Sequence, residues 1–184
     1  MRYLLIDRYL ELEKGRHGKA VKTVTHGEDF LEYGLSPLPV MPASVLLECQ
    51  AQVAGTLATA TDDFNGKGLL AKVDRAEFYR PIVVGDRLIV TATMRNRMGT
   101  TSAVDTVVEV EGELVARTNL FLAILGFESE DGRNFDHPKF FANRDDLLRE
   151  IGVYDLLGGR PAHMDRGRHV AASVTPDRPE MRAE

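Results

Sequence analysis

A single cysteine, Cys49, stands in a chain of 184 residues. That excludes an internal disulfide and any zinc site built on several thiolates. Tryptophan is absent and aromatic residues are 7% of the chain. Positive charge is in deficit: 23 Lys and Arg face 28 Asp and Glu, for a formal net charge of −5. A mildly acidic chain has no broad basic field for phosphate backbones, so no nucleic-acid partner is expected. No apolar run approaches the roughly 20 residues of a membrane span. The apolar start of MRYLLIDRYLELE is too short for a signal-peptide core, and charge follows at once. The expectation is a soluble protein of the reducing cytoplasm with no membrane partner. No Gly-rich phosphate loop and no His/Asp/Glu cluster at ligand spacing occurs, so no cofactor and no metal are expected.

What the sequence does have is an ordinary globular balance, 43% hydrophobic and 28% charged. That supports one substantial core. Tyr3 to Glu13 reads as a strand, Gly15 to Gly18 as a turn, and Ala20 to Thr25 as a second strand completing a hairpin. The stretch from Gly27 to Pro42 carries Gly27, Gly34, Pro37, Pro39 and Pro42, and long ordered loops of this kind often carry function. Pro42 suits the first position of a helix. The following ASVLLECQAQVAGTLATA is free of proline and apolar around most of its circumference, the pattern of a helix buried on several sides. Within it Ser44, Glu48, Gln52 and Thr56 recur every four residues as a polar ridge. By periodicity alone this ridge is either a solvent-facing edge or the lining of a cleft. Strands are predicted at Gly68–Tyr79, Asp86–Asn96, Thr101–Glu111 and Leu114–Phe127, with a tight turn at Glu111-Gly112. Past Phe127 the composition turns polar. A short helix is predicted from Asp145 to Leu157, with Leu147, Leu148, Ile151 and Tyr154 on one face, followed by a mobile tail from Gly159 to Glu184. One helix wrapped by a large, curved antiparallel sheet is the economical α+β architecture for this order of elements.

Leu38 to Ala58, LPVMPASVLLECQAQVAGTLA, resembles the helix-start signature of the β-hydroxyacyl-acyl-carrier-protein dehydratases, a hot-dog-fold family of fatty-acid synthesis. Pro39, Val40, Met41 and Pro42 match that family's turn, Glu48 its catalytic acid and Gln52 the Gln four residues on. LLIDR (Leu4 to Arg8) is similar to the family's N-terminal strand, and VTHGEDFLEYG (Val24 to Gly34) to its approach to the active-site loop. VDRAEFYRPIVVGDRL (Val73 to Leu88) is similar to a later strand, with Pro81, Gly85 and Asp86 kept and Val84 in place of a second proline. The resemblance covers residues 1 to 127, which implies a hot-dog domain there and an extension over residues 128 to 184. It also implies dimers or dimers of dimers, with acyl tunnels at the subunit interface and the loop of one subunit meeting the helix acid of the other. The expected partner is an acyl-carrier-protein or coenzyme A thioester.

One departure stands at the centre of the family's motif. Its loop carries Gly-His-Phe-Pro, whose His is the base, and here that His falls on Gly34, the Phe on Leu35 and the Pro on Ser36. The family's helix-start Gly is Ala43. Dehydration needs a base at C2, an acid for the hydroxyl leaving C3, and a donor polarising the thioester carbonyl. The resemblance gives Glu48 the acid's role and the Ala43 backbone N–H the donor's. His26 is the candidate substitute base, ahead of Tyr33 beside the altered position. His17 falls in a predicted turn, and His137, His163 and His169 lie in the extension. Tyr33, Gly34, Leu35, Met41, Pro42 and Gln52 are the candidate substrate contacts. Cys49, about 100° round the helix from Glu48, reads as a buried inert thiol. Asp7 and Asp86 read as strand-end or turn carboxylates. Three functions fit these residues: a 3-hydroxyacyl-thioester dehydratase with a non-standard base, an acyl thioesterase using Glu48 alone, and a non-catalytic acyl-binding partner subunit.

Overall fold

The computed structural model describes residues 4–34, 36–126 and 145–161. Eight strands and one long helix form the body: β1 (Arg8–Glu13), β2 (His17–Thr23), β3 (Val40–Met41), α1 (Ala43–Ala60), β4 (Gly66–Phe78), β5 (Ile82–Val83), β6 (Arg87–Met98), β7 (Thr101–Val110) and β8 (Glu113–Gly126). Beyond them residues 145–150 form a helical turn, α2, and α3 spans Val153–Leu156. Six strands make one antiparallel sheet in the order β1-β2-β6-β7-β8-β4, and β3 pairs with β5 separately.

Period-two alternation decides which face of the sheet is covered. Ser102, Val104, Thr106, Val108 and Val110 of β7 are buried, as are Leu88, Val90 and Ala92 of β6 and Ala116, Thr118, Leu120, Leu122 and Ile124 of β8. They share one face, and α1 packs against it with Leu46, Val53 and Leu57 fully buried. Each such side chain contributes about 1.5–3 kcal/mol by leaving water. Two hydroxyls in this layer, Thr106 and Thr118, satisfy each other across the β7–β8 ladder. β4 crosses close to the helix. At Gly68 a Cβ would stand 3.3 Å from the Gly55 carbonyl oxygen and 3.2 Å from Thr59 Cγ2, whereas one on Gly55 meets nothing within 4 Å, so it is Gly68 that lets β4 pass close to α1.

The expected wrapped helix is therefore present, spanning Ala43–Ala60, with Pro42 one position earlier than expected, as its N-cap. The tight turn at Glu111-Gly112 also forms, both residues taking positive φ, 53° and 83°. Several boundaries differ. The first strand begins at Arg8, not Tyr3, because Leu5 turns its amide to α1 instead of the ladder. His17 opens β2 and is not in the turn, since the chain reverses over residues 14–16 and His17 already pairs with Thr93. His26 lies beyond the end of β2, in the loop that follows. The predicted helix over Asp145–Leu157 is broken at Gly152, whose φ of +75° is left-handed. β3 and β5 went unforeseen, being two residues each. The tail beyond residue 161, the segment 127–144 and Leu35 lie outside the described residues. Among the described residues no helix is long and apolar enough to cross a membrane.

Candidate functional site

The loop between β2 and α1 is fastened at both ends. At its start, Val24 and the Gly85-Asp86 turn exchange hydrogen bonds, Val24 N–H to the Asp86 carbonyl at 3.0 Å and Gly85 N–H to the Val24 carbonyl at 2.9 Å. The Asp86 carboxylate accepts from Val83 N at 3.0 Å and from Arg80 Nη1 at 2.8 Å, so it holds the turn from within. Lys22 points inward from β2 and is only 5% exposed. Its ammonium pairs with Glu28 in the loop and lies 3.7 Å from Asp7 Oδ1, while Asp7 Oδ2 accepts the Thr23 N–H at 2.7 Å. A buried cation needs such partners, and here they pin the loop and the N-terminal segment to β2. At its far end the loop returns on itself: Glu32 and Val40 exchange two backbone hydrogen bonds of 2.9 Å.

Between Glu32 and Val40 most of the described residues are exposed, while Pro39 is buried. Tyr33 is 70% exposed and Leu38 48%. Gly34, aligned by resemblance with the family's His, is exposed with φ of +92°, and a Cβ built there meets nothing within 4 Å. His26 is exposed. Met41 is buried and Pro42 half-buried, where β3 pairs with β5 and leads into α1.

The start of α1 supplies donors. The first four amides of a helix lack intrahelical acceptors. Val45 and Leu46 bond the Pro42 carbonyl at 3.0 Å each, and Ala43 and Ser44 are exposed at the mouth of the helix. Their N–H groups and the helix's positive end favour developing negative charge.

Glu48 is half-buried, one and a half turns further on. Its Oε1 accepts from Gln52 Nε2 at 3.1 Å. The Gln52 carboxamide is oriented in turn, because its Oε1 accepts the backbone N–H of Leu5 at 3.0 Å. That leaves Nε2 as the end presented to Glu48. Tyr9, from β1, donates its hydroxyl to the Val53 carbonyl at 3.3 Å, and burial pushes its phenol above the usual tyrosine range. Cys49 is buried, and desolvation pushes its thiol up to about 12, against a smaller lowering by the Lys22 ammonium. At neutral pH it is a protonated thiol, as expected of an inert position.

Within one chain, then, the expected residues fall into two groups. Glu48, Gln52 and Ala43 lie together on α1, while His26, Tyr33 and Gly34 are exposed on the loop before it. The hydrogen-bond partner of Glu48 among the described residues is Gln52. Leu5, Tyr9 and Lys22 were absent from the sequence-based set. Lys22 had a signal, since Gly18, Ala20 and Lys22 share the inward side of β2. Among the described residues no three His, Cys, Asp or Glu side chains converge to hold a metal ion.

The site thus sets a half-buried carboxylate on a helix wrapped by an antiparallel sheet, with Ala43 and Ser44 exposed at the helix start. The FabA-like domain model matches residues 1–119. The chain belongs to the FabA-like domain family. Among its relatives, the 3-hydroxyacyl-[acyl-carrier-protein] dehydratase FabZ of Streptococcus uberis is 38% identical over 122 residues, covering 66% of this chain and 86% of that protein. Solved structures share the hot-dog fold at lower identity. Smu.793 of Streptococcus mutans, bound to acetyl CoA, superposes with a TM-score of 0.57 at 18% identity, over 68% of this chain and 94% of that one. A hypothetical thioesterase protein of Streptococcus pneumoniae, with coenzyme A, does so at 0.54 and 15%, over 68% and 91%. In this FabA-like chain the wrapped helix and its Glu48 fall inside the matched region, and α2 and α3 outside it.

Proposed function

We propose that this FabA-like protein is a hydro-lyase acting on 3-hydroxyacyl thioesters of acyl-carrier protein or coenzyme A, in the building of acyl chains. The hot-dog domain over residues 1–127 carries the chemistry. The observation that carries the reading is the Glu48 carboxylate, held through one oxygen by an amide whose own orientation is fixed by Leu5 N–H. This is a poised group, not a loose surface acid. Protonated, Glu48 delivers its proton to the C3 hydroxyl, which leaves as water. The C2 proton goes to a base, and the electron pair of the C2–H bond becomes the new double bond. Negative charge builds on the thioester oxygen meanwhile, and the Ala43 N–H at the helix start is placed to receive it. Met41, Pro42, Tyr33, Gly34 and Leu35 contact the acyl thioester in this reading.

The base comes from outside the Glu48 group. In this reading the loop of a second copy reaches the helix of the first. The exposure of Tyr33, Gly34 and Leu38 supports this. His26, exposed on the same loop, is the candidate to take the proton. A second reading has its own support. Glu48 with the Ala43 N–H suffices to activate water on a thioester, and a hypothetical thioesterase protein is among the structural neighbours.

Mass spectrometry of 3-hydroxyacyl, enoyl and saturated acyl thioesters incubated with the protein tests both. Interconversion of hydroxyacyl and enoyl forms is expected, reduced about 10²–10⁴-fold in Glu48→Gln. Release of free acid would favour the thioesterase, and no turnover of any thioester would leave a binding partner.

A further inference from the structure

Residues 145–161 lie beyond the FabA-like match, yet they are built into the body. Leu148, Ile151, Val153 and Tyr154 are buried. The Tyr154 ring meets Phe64, just past the end of α1, edge-on at 6.2 Å and 88°. Its hydroxyl donates to Asp145 Oδ1 at 3.0 Å, and the other Asp145 oxygen pairs with Arg160. Asp145 is only 4% exposed, so this short segment is closed by a buried carboxylate. On its other side, the break at Gly152 ends α2 and the Ile151 carbonyl accepts the backbone N–H of Tyr9 at 2.8 Å. That amide lies at the irregularity of the β1–β2 ladder between Tyr9 and Glu11.

The segment thus grips two places: the end of α1 and the N-terminal strand. That strand in turn reaches the Glu48 group. Leu5 N–H fixes the Gln52 carboxamide, and the Tyr9 hydroxyl bonds the Val53 carbonyl one residue later. We propose that residues 145–161 are an intramolecular clamp that sets the orientation of Gln52, and through it Glu48, by holding Leu5–Tyr9 against α1. Asp145 and Tyr154 are then positioning residues: they close the clamp and touch no reacting atom. The catalytic consequence rests on the proposed role of Glu48, whereas the physical coupling does not.

Hydrogen exchange read by NMR on the full chain tests the coupling. Tyr154→Ala and Asp145→Asn are expected to speed exchange at the Leu5 and Tyr9 amides and at the Gln52 side-chain amide by at least about tenfold, with β6–β8 amides unchanged. Tyr154→Phe keeps the ring on Phe64 and loses only the hydroxyl bond, so it should fall between. Where thioester turnover is measurable, kcat should drop with KM unchanged. If the Leu5, Tyr9 and Gln52 signals stay protected, or lose protection in step with β7, the clamp is disproved, because the segment is then independent or merely stabilising. Site-restricted loss of protection in a protein that turns over no thioester would uphold the clamp and overturn the function proposed for Glu48.

Discussion

Gln50 faces the core from the middle of α1 with no exposure at all, and among the described residues neither its Nε2 nor its Oε1 has a hydrogen-bond partner. A buried amide left unsatisfied costs about 1–3 kcal/mol, while an apolar side chain of similar volume carries no such penalty. Gln50→Leu or Gln50→Met is therefore expected to stabilise the protein, and at roughly 2–4 °C per kcal/mol the gain shows in the melting temperature. A loss of stability would mean that an internal water completes the amide. Cys49 and Tyr9 make a second prediction, about pH. Burial keeps both groups protonated, pushing the Cys49 thiol up to about 12 and raising the Tyr9 phenol above its ordinary range. In the unfolded chain the thiol gives up its proton near pH 8.5. Between these values the folded state holds more protons, so stability falls as pH rises, by up to about 1.4 kcal/mol per unit for the thiol. Urea unfolding at pH 8, 9 and 10 should show a shallower decline for Cys49→Ala than for the unaltered protein, whatever cavity the smaller side chain leaves.

At the scale of elements, the β4–β8 pairing depends on absent side chains. Gly66 lies opposite Gly126 in the ladder, but their surroundings differ. A Cβ on Gly66 would stand 2.7 Å from the Leu125 carbonyl oxygen, whereas one on Gly126 meets nothing within 4 Å. Gly66→Ala is expected to cost about 1–3 kcal/mol of overpacking, and Gly126→Ala little, as thermal melts of the two variants would show. These differences mark how far sequence alone reaches. α1 was legible because eighteen residues without proline follow Pro42. The β7 and β8 strands were legible because their buried residues alternate. Nothing local revealed the break at Gly152, since Leu147, Leu148, Ile151 and Tyr154 keep helical spacing straight across it. β3 and β5 were too short for any period to register. The site divides in the same way. Glu48 and Gln52 stand four residues apart on one helix and were readable. The Leu5 bond that orients Gln52 spans 47 residues, and only the folded sheet brings its ends together.

The whole sheet has two edges, and they are treated differently. The β1 edge is engaged by the Ile151 carbonyl. β4 runs thirteen residues, with β8 as its one partner strand among the described residues, and presents Leu69, Leu70 and Phe78 at 38–41% exposure with Tyr79 beyond at 50%. A long edge with apolar side chains invites another strand. A second copy meeting it across a two-fold axis would pair the two β4 edges with each other. Light scattering is accordingly expected to give twice the 20.4 kDa of one chain. Leu70→Lys should shift the population toward one chain without unfolding it. The functional consequence is sharper. If the loop of one copy completes the Glu48 group of the other, two defects in different chains can compensate. Glu48→Gln and a variant that combines His26→Ala with a glycine-serine linker over residues 33–38 should each be inactive alone. Unfolded together and refolded as a mixture, about half of the pairs join one of each. Each such pair holds one site with an intact acid facing an intact loop, so the mixture should recover about a quarter of normal turnover. No recovery from a mixture that does form mixed pairs would show that each chain builds its site alone, with a loop that folds back onto its own helix.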